Sequence, residues 1–91
     1  MKAAEWIDRV KAVRQIDSDY AVAKLLGLSR SSISGYRSKI PTLDENTALS
    51  VAAALGERPE AVLLDQVAER VKDANVRSTL SKMARSLCIL C

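Results

Sequence analysis

The stretch DYAVAKLLGLSRSSISGYRS, residues 19–38, decides the fold that the sequence predicts. It contains two short helical patterns with three residues between them. Ser18 is placed to cap a helix over residues 19–26, and Ser29 to cap a second helix over residues 30–38. Two helices this short and this close in sequence can pack only if the turn between them is tightly specified.

That turn places steric demands on two residues. Gly27 stands where a helix ends on a left-handed residue, a conformation that costs a residue with a Cβ about 1 kcal/mol. Ala23 must be small because the second helix crosses the first there. The side chains that must point inward to fix the crossing are all large and apolar or aromatic: Val22, Leu26, Leu28, Ile33 and Tyr36. The spacing therefore predicts two helices packed at a steep angle.

Helical periodicity continues on both sides of this stretch. It predicts an amphipathic helix over residues 3–16, a helix from a Thr42–Glu45 capping box to Gly56, a helix from Pro59, and a sixth segment after a break at Asp73 or Asn75. The apolar residues expected inward on the first of these are Trp6, Ile7, Val10, Val13 and Ile16. Those on the next two are Ala48, Leu49, Val51, Ala52 and Leu55, then Val62, Leu63, Val67 and Val71. We therefore expect an all-α domain of five or six helices.

Composition narrows the possible functions. The 91 residues suffice for one small domain, and 48% of them are hydrophobic. No run of 18 apolar residues is present, and MKAAEWIDRVK lacks the apolar block of a signal peptide, so a cytoplasmic protein is expected. Histidine, the commonest general base and metal ligand, is absent. We expect no enzyme, cofactor or small-molecule substrate.

Two cysteines close the chain as a C-x-x-C pair, Cys88 and Cys91. They provide half of the four ligands that a structural zinc site needs. We interpret them as small apolar residues and expect no metal.

Positive charge is concentrated in the first half of the sequence. Residues 1–43 carry eight basic and four acidic side chains, whereas residues 44–91 carry six basic and seven acidic ones. This distribution suits an anion-binding surface in the first half, although ordinary solvated side chains would also explain it.

The SDYAVAKLLGLSRSSISGYR motif, the SKIPT connector and the TALSVAAALG helix resemble the helix-turn-helix of the Cro and lambda-repressor-like group, the XRE family. The resemblance covers about residues 5–65. It implies a lambda-repressor-like bundle, with a DNA-binding domain over residues 1–74 and a C-terminal helix over residues 75–91 as a dimerisation segment of the same domain. Such proteins are typically phage or bacterial regulators.

The resemblance also implies which residues meet DNA. The second helix of the motif would enter the major groove, with Arg30 suited to guanine because its fork matches O6 and N7. Implied base contacts are Arg30, Ser31, Ser34, Gly35 and Ser38, and implied phosphate contacts are Ser29, Tyr36, Arg37 and Lys39. Asp19 departs from the family, where a neutral polar residue commonly binds phosphate, and no such role is assigned to it.

Each of these residues also has a purely structural interpretation. Arg30, Arg37 and Lys39 could be solvated surface, Ser29 a helix cap, and Tyr36 a core residue. Ser31 and Ser34 could simply face solvent, and Gly35 could be tolerated at a cost of about 1 kcal/mol.

The last segment carries a further pattern. Val76, Leu80, Met83, Leu87 and Leu90 alternate in steps of four and three, which predicts a continuous apolar seam for a second copy. Alternatively the segment folds back on the first helix, and Val62, Leu63, Leu64 and Val67 form the dimer surface. The sequence thus predicts a repressor-like regulator that binds a palindromic operator as a homodimer. The alternative is a protein-interaction adaptor or antitoxin on the same scaffold.

Overall fold

A computed structural model describes residues 1–89 of the chain, which form six α-helices. The helices are α1 (Ala3–Arg14), α2 (Asp19–Leu26), α3 (Arg30–Ser38), α4 (Glu45–Leu55), α5 (Pro59–Arg70) and α6 (Ala74–Leu87). The described part of the chain contains no strand. The expected all-α fold of five or six helices is confirmed.

Local sequence signals explain where most helices begin and end. The side chains of Ser18, Ser29, Asp44 and Asp73 each accept a hydrogen bond from a backbone N–H in the first turn of the helix that follows. Gly27 and Gly56 end α2 and α4 in the left-handed conformation, at φ 71° and 70°. Pro59 occupies the first turn of α5, where its missing N–H leaves no hydrogen bond unmade.

The hydrophobic core lies among α1–α4 and is closed by α5. Its members include most of the residues that helical periodicity predicts, namely Trp6, Ile7, Val10, Val22, Ala23, Leu26, Ile33, Tyr36, Ala48, Val51, Ala52, Leu55 and Val62. Leu43, in the connector between α3 and α4, is also fully buried. This core fixes α2 and α3 relative to the rest of the molecule.

Polar contacts attach α5 to the N-terminal segment. The indole Nε1 of Trp6 donates to Asp65 at 2.8 Å, and the Met1 ammonium lies within 3.0 Å of Asp65 and Glu69. Gln66 is buried and accepts the N–H of Leu43 at 2.7 Å. These bonds satisfy buried polar groups and hold α5 against both α1 and the connector.

Helix α6 folds back along α5 through the short connection at residues 71–73. Ala61 and Ala68 of α5 and Ala84 of α6 are all buried, and Ala61 and Ala84 line one small cavity. Arg77 reaches the carboxyl end of α5, where its guanidinium donates to the carbonyls of Ala68 and Val71 at 3.1 Å. The result is a helical hairpin at one end of the bundle.

Three sequence-based predictions about helix faces and ends are wrong. Helix α1 ends at Arg14, where Gln15 takes a left-handed conformation, and Val13 within the helix is exposed. Asp44, not Thr42, caps α4 and accepts the Thr47 N–H, while Thr42 accepts a hydrogen bond from Arg70. Leu49 is exposed, because α4 turns that face outward.

The remaining differences lie in the C-terminal half. Val67, predicted on the inner face of α5, is exposed. Cys88 is disulfide-bonded, so interpreting it as an ordinary small apolar residue is wrong. Leu90, predicted for the dimer seam, and Cys91 lie outside the described residues. Within residues 1–89, no helix is long and apolar enough to cross a bilayer.

Candidate nucleic-acid interface

The turn between α2 and α3 is built as its sequence predicts. The N–H of Leu28 bonds the carbonyl of Ala23 at 2.8 Å, which closes the end of α2 around Gly27. Ser29 then accepts the N–H of Ser32 at 3.1 Å and starts α3. Local hydrogen bonds therefore satisfy backbone groups at both ends of the turn.

The inner face of α3 is buried. Ile33 and Tyr36 pack into the core, and Ala23 of α2 is 2% exposed. The Tyr36 hydroxyl donates to Thr47 and accepts the N–H of Asp44, each at 3.4 Å. Tyr36 is thus a core residue with a satisfied hydroxyl, the structural interpretation that the sequence left open.

A cluster of charged groups fastens α3 to α1 and α2. The Arg37 guanidinium donates to both oxygens of Asp19, at 2.9 and 2.8 Å, and to Asp8 at 2.7 Å. Lys11 also reaches Asp19 at 3.0 Å. We call Asp8, Lys11, Asp19 and Arg37 the charge clamp.

The charge clamp explains the carboxylate at position 19. Hydrogen bonds from Arg37 and then Lys11 outweigh the effect of burial and lower the pKa of Asp19 to about 2. A separate hydrogen bond from Arg37 lowers the pKa of Asp8, and the pKa of Arg37 is raised by its bonds to the two carboxylates. Two cations therefore compensate the charge of Asp19 locally.

The outer face of α3 is open to solvent. Arg30, Ser31, Ser34 and Ser38, predicted as base contacts, are all exposed along it. The Ser31 hydroxyl pairs with that of Ser29 at 3.1 Å, and Ser38 donates to the carbonyl of Ser34 at 2.9 Å. Within the described residues, the hydroxyl of Ser34 has no hydrogen-bond partner. The helix contains no acidic side chain.

Gly35, the fifth predicted base contact, is only partly exposed. A Cβ at this position would lie 3.1 Å from Cδ1 of Ile40, so the side chain of Ile40 covers the glycine from one side. Ile40 itself is about half exposed. Ser31, Ser34, Gly35, Ser38, Lys39 and Ile40 line a shallow groove along the helix. The close contact with Ile40 was not predicted from the sequence.

The predicted phosphate contacts separate into two groups. Ser29 and Lys39 are exposed at the two ends of α3. Tyr36 is buried and Arg37 is engaged by the charge clamp. The structure thus brings the base-contact candidates together on one face with only two of the four phosphate candidates.

Sequence reasoning missed two residues beside this face. Tyr20 is 48% exposed, and its ring lies 4.6 Å from the Arg30 guanidinium and 4.8 Å from the Lys24 ammonium. The spacing of Tyr20 and Lys24 by four residues on a helix was a signal that could have paired them. The approach of Arg30 depends on the turn geometry and had no signal of its own.

Helix α6 presents the second exposed surface. Val76 and Met83 are 47% and 48% exposed, and Leu80 and Leu87 are half-buried beside them. The helix packs on α5 and leaves this seam uncovered in the described chain, so it does not complete the core as the alternative interpretation had it. Leu90 lies outside the described residues.

Comparison with protein-family models, with curated proteins and with solved structures found no match to this chain. Within residues 1–89, no three His, Cys, Asp or Glu side chains are grouped so that they could hold a metal ion. The exposed surfaces of the molecule are therefore the features that point to a function.

Proposed function

We propose that this protein is a sequence-specific regulator of transcription that binds double-stranded DNA as a homodimer on a palindromic operator. One observation carries the proposal: α3 is fixed by its inner face, while its outer face stays open and carries arginine and serine side chains. The outer face of α3 has no large apolar side chain of its own, and such a helix suits the major groove of B-DNA, which is about 12 Å wide.

The amino end of α3 provides the chemistry of base recognition. Arg30 is its first residue, and its planar fork can donate two hydrogen bonds to a guanine edge. Ser34 follows on the same side, one turn later, and Ser31 lies next to Arg30 around the helix. Both have short hydroxyls that donate or accept. This is the arrangement in which recognition helices present their amino-terminal residues to base edges.

Phosphate contacts would come from both ends of the same face. Ser29 and the first amides of α3 lie at its amino end, and Lys39 lies at its carboxyl end. The proposal leaves out Tyr36 and Arg37, since the core and the charge clamp already use those side chains. Bound at a promoter, such a protein would act by excluding polymerase.

The α5–α6 hairpin supports the homodimer. Val62 faces the core and Ala61 faces α6, so helical spacing turns Leu64 and Val71 to the side of the hairpin away from the core. On α6, Arg85 lines the small cavity beside Trp6, which turns Val76 and Met83 to that same side. Val67 adds a further exposed apolar group. The hairpin thus offers one apolar face, which in a dimer would form a four-helix bundle.

Salt dependence of DNA binding tests the proposal. If a dimer engages five or six phosphates, the logarithm of the association constant should fall with the logarithm of salt concentration at a slope of about −5. Arg30→Ala should cost about 1–3 kcal/mol on the preferred sequence and less on others. Arg58→Ala is the matched control, because Arg58 is an exposed cation at the far end of α5 from the α3–α4 connector.

Two results would contradict the assignment. A slope near zero would indicate a protein-interaction module instead of a DNA-binding protein. Equal weakening of every duplex by Arg30→Ala would show that Arg30 holds phosphate and reads no base.

A further inference from the structure

Tyr20 is an exposed aromatic side chain on the second residue of α2, next to the start of α3. Two cations approach its ring: the guanidinium carbon of Arg30 at 4.6 Å and the Nζ atom of Lys24 at 4.8 Å from the ring centroid. Both distances are within the range in which the ring quadrupole attracts a cation. Helices α2 and α3 are thus joined across their outer surface by an aromatic ring.

The surroundings of these cations differ from those of the charge clamp. Lys11 and Arg37 are neutralised by carboxylates, whereas within residues 1–89 neither Lys24 nor Arg30 forms an ion pair. The ring brings two positive charges together without an anion to balance them. An attraction of this kind holds a guanidinium in place and leaves its N–H donors available, whereas a carboxylate would occupy them.

We infer that Tyr20 is a positioning residue that determines sequence specificity by holding the Arg30 guanidinium on its ring, ready for a guanine edge. The inference rests on the proposed function. Arginine has about 2 kcal/mol of rotamer entropy to lose when it is fixed, so a side chain that is already held loses less of it on binding DNA. Lys24, the second cation at the ring, would add positive charge that attracts DNA phosphates.

Two substitutions separate the ring from its hydroxyl. Tyr20→Phe keeps the aromatic face, and Tyr20→Leu removes it. Each is measured by the ratio of the association constants for the selected operator and for the same duplex with the guanine read by Arg30 replaced. We expect Tyr20→Leu to lower this ratio about tenfold, because contact with DNA removes water from the Tyr20–Arg30 pair and strengthens its attraction. Tyr20→Phe keeps the ring and should leave the ratio within about twofold.

A third measurement shows whether Tyr20 acts through Arg30. In an Arg30→Ala background, Tyr20→Leu should have no further effect on the ratio, since the group that it positions is absent. In the free protein, NMR should show ring-current displacement of the Arg30 Hδ resonances, and the displacement should persist in Tyr20→Phe and vanish in Tyr20→Leu. Tyr20 is half exposed, so thermal unfolding should show all variants folded.

The possible failures are distinguishable. If the wild-type protein selects a DNA sequence but Tyr20→Leu keeps its discrimination, the inference is wrong and the proposed function stands. If Tyr20→Phe is as damaging as Tyr20→Leu, the hydroxyl acts and stacking does not. If the wild-type protein selects no duplex, the proposed function fails and the inference fails with it.

Discussion

The two faces of α3 differ in burial and in ion pairing. On the inner face, Ile33 and Tyr36 are buried and Arg37 is held by two carboxylates. On the outer face, Ser31 and Ser34 are exposed, and no described carboxylate forms an ion pair there. Stability is therefore concentrated on one side of a nine-residue helix and leaves the other side free to change without unfolding the domain.

The largest expected effect comes from overfilling the inner side. Ala23→Leu should lower the free energy of unfolding by about 3 kcal/mol, because Ala23 is 2% exposed where α2 and α3 pack. Urea denaturation measures the loss. The matched control is Ser34→Leu on the outer face, which should change stability by no more than about 0.5 kcal/mol. Equal losses in both variants would contradict the difference between the faces.

The second effect concerns the apolar face of α6. Met83→Glu should weaken self-association by about 30-fold, since a carboxylate would be buried without a partner in the proposed dimer. Sedimentation equilibrium measures the change. Ser78→Glu is the control, because Ser78 is exposed on another side of α6. A monomeric wild-type protein would contradict the proposed dimer. Equal association of both variants would show that the dimer contact lies elsewhere in the molecule.

Two glycines in the same motif should respond in opposite directions. Gly27→Ala should cost about 1 kcal/mol, because φ at Gly27 is 71° and no neighbouring atom crowds a Cβ there. Gly35→Ala should stabilise α3 by about 0.5 kcal/mol, since alanine favours the helix and the half-exposed Ile40 can move by the small distance required. Thermal unfolding of the two variants checks both signs. A loss at Gly35 as large as that at Gly27 would show that Ile40 cannot move.

The smallest expected effect is a pH dependence of the charge clamp. The pKa of Asp19 is depressed from 3.8 to about 2, so its contribution is complete above pH 4 and is lost as pH falls towards 2. Because Asp19 is more than a third exposed, screening reduces this contribution to about 1 kcal/mol. Urea titrations between pH 2 and 5 should show the loss in the wild-type protein and a smaller one in Arg37→Gln. The same slope in both would mean that other carboxylates cause it.

Most of the fold could be predicted from the sequence because the signals that indicate it are local. The caps at Ser18 and Ser29, the left-handed Gly27 and the apolar spacing of α2 and α3 involve residues within a few positions of one another. The errors came where local signals competed. Two acceptors, Thr42 and Asp44, stand before α4, and the sequence does not show that Arg70 from α5 takes up the first.

The candidate site was only partly predictable. Exposure of Arg30 and Ser34 follows from helical spacing, but the roles of Arg37 and Tyr20 depend on which residues of other helices lie opposite them. Asp8 and Asp19 are 29 and 18 residues from Arg37 in sequence. Contacts over such separations carry no periodic signal, so a cation taken for a phosphate ligand turns out to hold three helices together.

Selection of random duplex DNA by the purified protein shows whether the protein recognises a DNA sequence through α3. We expect enrichment of a palindrome whose half-sites are about one helical turn apart, with a guanine in each half whose enrichment disappears in Arg30→Ala. Recovery of no preferred sequence by the folded wild-type protein would contradict it.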